Sequence, residues 1–472
     1  MRTHPRRGLV ATLGAVILVV AVLQTGFIPI VGAIAAQLRV SPTAASWAMT
    51  ANLITAAAAT PLIGRLADRF NTKSVLLAVL AVVLAGSVLG AVASSLPLVV
   101  LARALQGPSF ALYPIAVSIL RYEVPAERLI RAIAALSMTL GFGGAVGLFF
   151  TGFLMPSGAD FHRVFWLLAV MTIAVITPVV VIVPNRVADV EGPVDWLGGA
   201  ALAVGLSLLM LAITQSSSWG ISATVLTLSA GMAVLGAWRS RNRSHSHPLV
   251  APAMLSRRPV MLANSAGFLV GMGSYFSLLG LSTFAAYRFG TSVQLISLQF
   301  MLPGAIAGTL TAVVAGRLIE RFGGLEVLAG GGAFGLLGFG MLVGWHGRPW
   351  QVIVAGLLTS IYISLAYGAL PAVIVGDVHA NETAVANSIN GIFRKIGGAA
   401  AAALVGARLT PVVGGAPSET GFLILFVAGA LTAGAAVLLV WLGGRVRAGR
   451  PVIRLPGVPA AGAIPLAGLQ RA

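Results

Sequence analysis

Apolar stretches long enough to cross a lipid bilayer recur from one end of this chain to the other, and that recurrence leaves few folds open. A transmembrane helix needs about 20 mostly apolar residues. Between charged or Gly/Pro-rich breaks, candidate spans fall near 8–36, 43–63, 74–94, 97–119, 131–154 and 163–184. A polar linker at 185–193 separates them from spans near 195–214, 219–238, 259–284, 292–315, 324–344, 350–374, 384–408 and 420–442. With 58% hydrophobic and only 9% charged residues, against about a quarter charged in soluble domains, the chain is expected to be an all-α polytopic membrane protein with fourteen transmembrane helices.

Lys and Arg number 30 against 12 Asp and Glu, a formal charge of +18 that in a soluble chain would suggest nucleic acid. Here the charges lie between the apolar runs. If the first connection is external, 22 of the 30 basic residues are cytoplasmic, five (Arg39, Arg163, Arg288, Arg348, Arg408) are external and three (Arg103, Arg394, Lys395) lie within spans. The positive-inside rule then puts both termini in the cytoplasm of a multi-pass protein of the cell (inner) membrane, with no nucleic acid as partner. The first span has the basic flank of a signal peptide, but its apolar run is too long and lacks a small-residue cleavage site, so it is expected to remain as a helix. Trp196, Trp219, Trp238, Trp345, Trp350 and Trp441 are expected at span ends as interfacial anchors. The absence of cysteine excludes disulfides, thiolate metal sites and cysteine nucleophiles.

The sequence also repeats. Gly64-Arg-Leu-Ala-Asp-Arg-Phe70 returns as Gly316-Arg-Leu-Ile-Glu-Arg-Phe322, an offset of 252 residues. Six helices occupy residues up to 184, so this offset accommodates two additional helices between two six-helix halves, the spans at 195–214 and 219–238. The expected divisions are 1–184, 185–258, 259–443 and a tail, 444–472. Internal repeats of this kind mark transporters, whose substrate site forms between two rocking halves. In each copy a glycine permits close helix approach, and an acid at a helix end can pair with arginine and with the amides of a neighbouring helix. Gly64, Arg65, Asp68 and Arg69, with Gly316, Arg317, Glu320 and Arg321, are therefore candidate gating residues.

These residues resemble the major facilitator superfamily, and more narrowly its fourteen-helix drug/proton antiporter branch. Gly64 to Lys73 looks like the superfamily's loop motif between helices 2 and 3, and Ser46-Trp47 suits the branch. Arg103, Gln106 and Gly107 resemble its Arg-x-x-Gln-Gly motif, Asp195-Trp196 and Gly198 its helix 7, and Arg394, Gly397 and Gly398 its helix 13. The resemblance implies a major facilitator fold and a cavity-facing coupling role for Arg103. Two departures concern coupling. Gly147-Leu-Phe-Phe-Thr-Gly152 keeps the outer glycines of the antiporter motif without its proline, and Leu23-Gln24-Thr25 has an amide where the branch usually has an acid.

A charge at mid-bilayer costs about 2.5 to 3.5 kcal/mol on insertion scales, so Arg103, and Arg394 with Lys395, need a partner, a wet cavity or a function. Every acid lies at a span edge or in a loop, so no carboxylate is an obvious proton carrier, and Asp377 is the best placed. His245 and His247 have a two-residue spacing but no acids beside them, so no metal is expected. Gly143 and Gly147 read as small-residue packing within a helix rather than as a dinucleotide loop. Gln24, Asn52, Gln106, Tyr113, Asn264, Tyr275, Gln299, Asn387 and Asn390 are uncharged polar residues in or near spans, each read as an interhelical hydrogen-bond partner or, as a group, as the wall of a cavity for an amphipathic or mildly polar substrate. Gln24, Arg103, Gln106, Gly107, Tyr113, Gly147, Asn387 and Arg394 form the candidate coupling or cavity set.

The leading reading is a secondary active transporter without cofactor, exporting amphipathic drugs or small organic molecules against proton entry. The alternative is an uncoupled facilitator or importer of the same fold, and the remote one a membrane-embedded enzyme, which would need a cluster of titratable or metal-binding residues at one membrane face. A channel lacks any visible ring or filter.

Overall fold

The computed structural model describes residues 8–185, 195–216, 219–244, 257–375, 383–409 and 418–445. Among them, fourteen helical units follow one another: α1 (Leu9–Gln37), α2 (Pro42–Arg69), α3 (Thr72–Ala91), α4 (Leu96–Glu123), α5 (Ala126–Leu154), α6 (His162–Ile182), α7 (Trp196–Gln215), α8 (Ile221–Ser244), α9 (Arg258–Phe289), α10 (Val293–Phe322), α11 (Gly324–Gly344), α12 (Pro349–Val375), α13 (Thr383–Leu409) and α14 (Glu419–Arg445). Each expected span has its helix. Three units are locally rewound, α1 by a 3-10 turn at Ile28–Ile30, α4 by another at Gly107–Ala111, and α10 by a π turn at Ile296–Met301. Pro29, Pro108 and Pro303 lie in or beside these turns, where a missing amide hydrogen and a clashing ring interrupt the α-helical ladder.

The same packing scheme occurs twice. In the first six helices α1 packs on α5 and α6, α3 on α6, and α4 on α2 and α3; eight helices later α9 packs on α13 and α14, α11 on α14, and α12 on α10 and α11. The remaining pair, α7 and α8, pack on each other, and α7 also touches α2 and α13. The architecture is thus two six-helix halves with a two-helix insertion. Asp195 holds that insertion: its Oδ1 caps α7 by accepting from Gly198 N at 2.9 Å and from Arg241 of α8 at 3.0 Å. Residues Ile221 and Leu226 of α8 are 85% and 72% exposed, which gives this helix an outer, lipid-facing surface.

Glycines set the closest approaches. On the α1–α5 seam a Cβ at Gly143 would come within 2.6 Å of Ala21, and one at Gly147 within 2.4 Å of Thr25 Oγ1, so this pair is helix packing. On the equivalent α9–α13 seam a Cβ at Gly397 would fall 2.0 Å from the Phe268 carbonyl oxygen, and one at Gly271 2.1 Å from that of Arg394.

The halves meet through α2 with α13 and α5 with α10. Among the described residues eleven helices are long and apolar enough to cross a membrane by composition alone. Of the others, α2 and α13 carry more polar and charged residues and meet each other across the junction, while α5 holds an apolar stretch at Met138–Leu154. The two Gly-Arg-x-x-acid-Arg-Phe repeats form the last turns of α2 and α10, not free loops, and mark one face of the molecule. At the opposite, far face the halves are in contact: a Cβ at Gly152 would lie 2.6 Å from Leu298, and one at Gly406 3.7 Å from Ser46 Oγ. One apolar cluster crosses the junction there, joining Phe27, Ile30, Met49 and Leu148 to Phe276, Phe284 and Phe300. At the repeat-bearing face a Cβ at Gly64 or Gly316 would meet nothing within 4 Å. The close approach expected of these glycines is not made in this conformation.

Five of the six candidate anchors have exposed or half-buried side chains near helix ends, as interfacial anchors require. Trp238 is a correction: α8 continues to Ser244, and the indole is 8% exposed, packed in a cluster with Leu202, Leu206 and Met210.

Candidate functional site

Arg103, Gln106, Phe110 and Tyr113 sit at i, i+3, i+7 and i+10 along α4, a spacing that places them on one helical face. Arg103 lies two turns inside the span and is 1% exposed. Its guanidinium stacks 3.9 Å over the Phe27 ring and donates from NH1 to Gln106 Oε1 at 2.7 Å. Gln106 passes the chain on to Ser87 Oγ of α3 at 3.0 Å. Among the described residues the Nε of Arg103 has no hydrogen-bond partner. Tyr275 of α9, in the other half, stands within electrostatic reach of the guanidinium. Close packing holds this arrangement in place, since a Cβ at Gly107 would be 1.9 Å from Thr55 Oγ1 and 2.7 Å from the Asn52 carbonyl oxygen, and Asn52 Nδ2 donates to the Arg103 carbonyl at 3.1 Å.

Across the junction, α13 begins at Thr383, so Arg394 and Lys395 lie three turns inside it. Arg394 stacks 4.5 Å from the Tyr367 ring, whose hydroxyl meets Ser274 Oγ at 2.8 Å, and Tyr113 lies within its electrostatic reach. Lys395 Nζ donates to Thr60 Oγ1 of α2 at 3.3 Å and sits 4.0 Å from the Phe110 ring of α4. Both side chains are half-buried. The structure therefore brings Arg103, Gln106, Tyr113 and Arg394 together on two facing surfaces, and adds Phe27, Phe110, Tyr367 and Lys395. Of these additions, Phe110 is legible from its spacing on the α4 stripe. Phe27 and Tyr367 are cation partners that sequence alone does not single out.

Gln24 is near the same surface, donating to Ser109 Oγ at 3.4 Å and tying α1 to α4. Asn390 Nδ2 donates to the Ala263 carbonyl at 2.8 Å and to Asn264 Oδ1 at 3.3 Å, so Asn390, like Asn52, clamps helices as expected. Gly107 and Gly147 are packing contacts rather than open wall. Arg317, Glu320 and Arg321 are exposed on α10 and Arg69 is half-buried on α2. The side chains of Arg65, Asp68 and Asn387 lie outside the described residues, as do Asp377, His245 and His247.

The described carboxylates are peripheral. At the far face His162 bridges Asp160 and, through Nε2 at 2.8 Å, the Ala93 carbonyl, while His346 meets Glu419 at 3.1 Å. Partial burial alone would push the Asp160 carboxyl up. Hydrogen bonds from the His162 amide and ring, with the His162 and Arg163 charges, outweigh it and hold the group below the usual aspartate value.

A family model described as Major Facilitator Superfamily matches residues 13–402. The uridine/deoxyuridine transporter of Lactococcus lactis subsp. cremoris is 26% identical over 353 residues, 71% of this chain and 72% of that protein. A multidrug resistance protein B homolog of Mycobacterium tuberculosis is 24% identical over 433 residues, 87% and 78% of the two chains. Among solved structures, a crystal structure of a peptide transporter superposes with a TM-score of 0.68 at 17% identity, covering 94% of this chain and 95% of that one. That last likeness concerns the fold. Family model, helix order and the doubled six-helix scheme agree that this multi-pass membrane protein is a transporter rather than an enzyme and belongs to the Major Facilitator Superfamily.

Proposed function

We propose that the chain is a secondary active exporter of amphipathic drugs or other small organic molecules, driven by proton entry. It sits in the cell (inner) membrane with both termini and the two repeat-bearing helix ends on the cytoplasmic side. Halves 1–184 and 259–443 rock about a central cavity, 185–258 adds the outer helix pair, and 444–472 is a cytoplasmic tail. The observation that carries this reading is the facing of Arg103, Gln106 and Tyr113 by Arg394 and Lys395 across the junction of two like halves. Polar surface that is costly in lipid is concentrated where a substrate must pass. The names of the relatives, a nucleoside carrier and a multidrug resistance homolog, agree with small organic cargo.

In this reading the far-face contact closes the periplasmic side. Gly64, Arg65, Asp68 and Arg69 with Gly316, Arg317, Glu320 and Arg321 then close the cytoplasmic side in the other state, their acids pairing with arginines and helix N-termini. Coupling runs through a peripheral carboxylate, Asp68 or Asp377, because arginine does not release its proton at cellular pH. The neutral Gln24–Ser109 pair, where the branch usually has an acid, favours a second reading, an uncoupled facilitator or importer.

Flux of a panel of dyes and drugs into proteoliposomes, with and without an imposed pH gradient, separates the two. Coupled export gives flux that rises severalfold with the gradient, collapses with a protonophore and slows in Asp68→Asn. Gln24→Asp should steepen the pH dependence or shift preference toward cations. Flux indifferent to both gradient and protonophore rejects coupling and leaves the facilitator.

A further inference from the structure

Among the described residues, Arg103, Arg394 and Lys395 have no counter-charge. In every described helix the acids stand in the capping position or the first or last turn: Asp68, Glu123, Glu127, Asp195, Glu320, Glu326 and Glu419. Arg103, Arg394 and Lys395 lie two or three turns inside their helices. Among the described residues the acid-base pairs are Asp160 with His162, Asp195 with Arg241 and Glu419 with His346, all at helix ends. None involves a cavity cation.

What the three cations do have is aromatic faces: Phe27 under Arg103 at 3.9 Å, Tyr367 under Arg394 at 4.5 Å and Phe110 under Lys395 at 4.0 Å. A ring quadrupole attracts a cation without neutralising it. The hydroxyl and amide partners, Thr60 and Gln106, carry no charge either. Among the described residues the buried Nε of Arg103 is a donor still without an acceptor. Arg103 on α4 and Arg394 and Lys395 on α13 thus bring three formal positive charges and three rings to the junction of the halves. The chemical complement of that surface is a negative headgroup on a flat apolar body.

We propose that this cavity selects organic anions, an aromatic body carrying a carboxylate, sulfonate or phosphate, with Arg394 and Lys395 on α13 and Arg103 on α4 receiving the charge. The inference rests on the transporter reading above and narrows its cargo. A lipophilic cation, a common idea of drug-efflux cargo, is disfavoured because it would enter a site of its own sign. A metal-free recognition is meant: guanidinium groups offer forked donors to planar oxyanions, and the ammonium a point charge.

The test uses the full chain in lipid nanodiscs and in proteoliposomes. Probes share one naphthalene body and differ only in headgroup: carboxylate, sulfonate and phosphate as anions, carboxamide as the neutral form, methylammonium as the cation. Equilibrium binding is read by competition, and movement by counterflow. The expected result is that at least one anion binds about tenfold or more tightly than the carboxamide, as a hydrogen bond to a charged group is worth, and that the cation does not compete. Lys395→Gln and Arg394→Gln should each reduce the anion-to-amide affinity ratio about tenfold, and Lys395→Arg should retain most of it. Tight binding of the cation, absence of binding by all three anions, or an unchanged ratio in both glutamine variants overturns the proposal. Anion binding with this pattern but without counterflow upholds the anion site and sinks the transporter reading, whereas counterflow of neutral or cationic probes alone does the reverse.

Discussion

Arg103→Ala should abolish transport while leaving the chain inserted and folded. The residue is among the most deeply buried charges in the described helices, and burying a cation there costs about 2.5 to 3.5 kcal/mol on insertion scales. The Phe27 ring and the Gln106 amide offset part of that. Removing the side chain therefore relieves a cost as well as deleting contacts, and Gln106 keeps its bond to Ser87. Thermal stability in detergent is expected to stay near the parental value or rise, while flux falls to the level of empty vesicles. Arg103→Lys, which keeps the charge without the planar fork, should fall between. Loss of folded protein in Arg103→Ala would recast the residue as structural.

Gly397→Leu should have the opposite signature, loss of the protein itself. A Cβ at this position lies 2.0 Å from the Phe268 carbonyl oxygen and 3.1 Å from Met272 N, both backbone atoms that no rotamer change can move. The reciprocal contact of Gly271 with the Arg394 carbonyl ties the same seam from the other helix. Separating α9 from α13 also displaces Arg394 and Lys395, so no functional fraction should remain. Overpacking a tight core costs about 1 to 3 kcal/mol even where side chains can adjust, and here the obstacle is the main chain. Gly340→Leu, at a site where a Cβ would meet nothing within 4 Å, is the matched control and should purify as a monodisperse protein. Equal size-exclusion profiles for the two variants would contradict the packing account.

Helix number and the doubled architecture were legible because their signals are coarse: apolar length, the placement of charges, and the second Gly-Arg-x-x-acid-Arg-Phe copy 252 residues on. Arg103 and Arg394 stood out because charge inside an apolar run is rare. Trp238 misled because its position relative to a helix end depended on six further polar residues, Arg239 to Ser244, that continue α8. The glycines of the repeats were read as close-approach points, but a close approach belongs to a particular conformation. The rings of Phe27 and Tyr367 were hidden for another reason. A phenylalanine in a membrane helix is ordinary, and its pairing with a cation on another helix is a tertiary event that periodicity does not encode.

If substrate crosses only when the two halves part at the far face, where they now touch, locking that face must stop flux. Ser46 at the start of α2 and Gly406 near the end of α13 offer a direct test, because the chain has no cysteine and a Cβ at 406 lies 3.7 Å from Ser46 Oγ, near enough for side chains at the two positions to meet. The measurement is flux, in proteoliposomes, of a dye that the parental chain moves, through Ser46→Cys/Gly406→Cys before and after reduction. The oxidised, cross-linked protein should be silent, and reductant should restore flux to the rate of the single-cysteine variants. Flux through fully cross-linked protein at the reduced rate would contradict it.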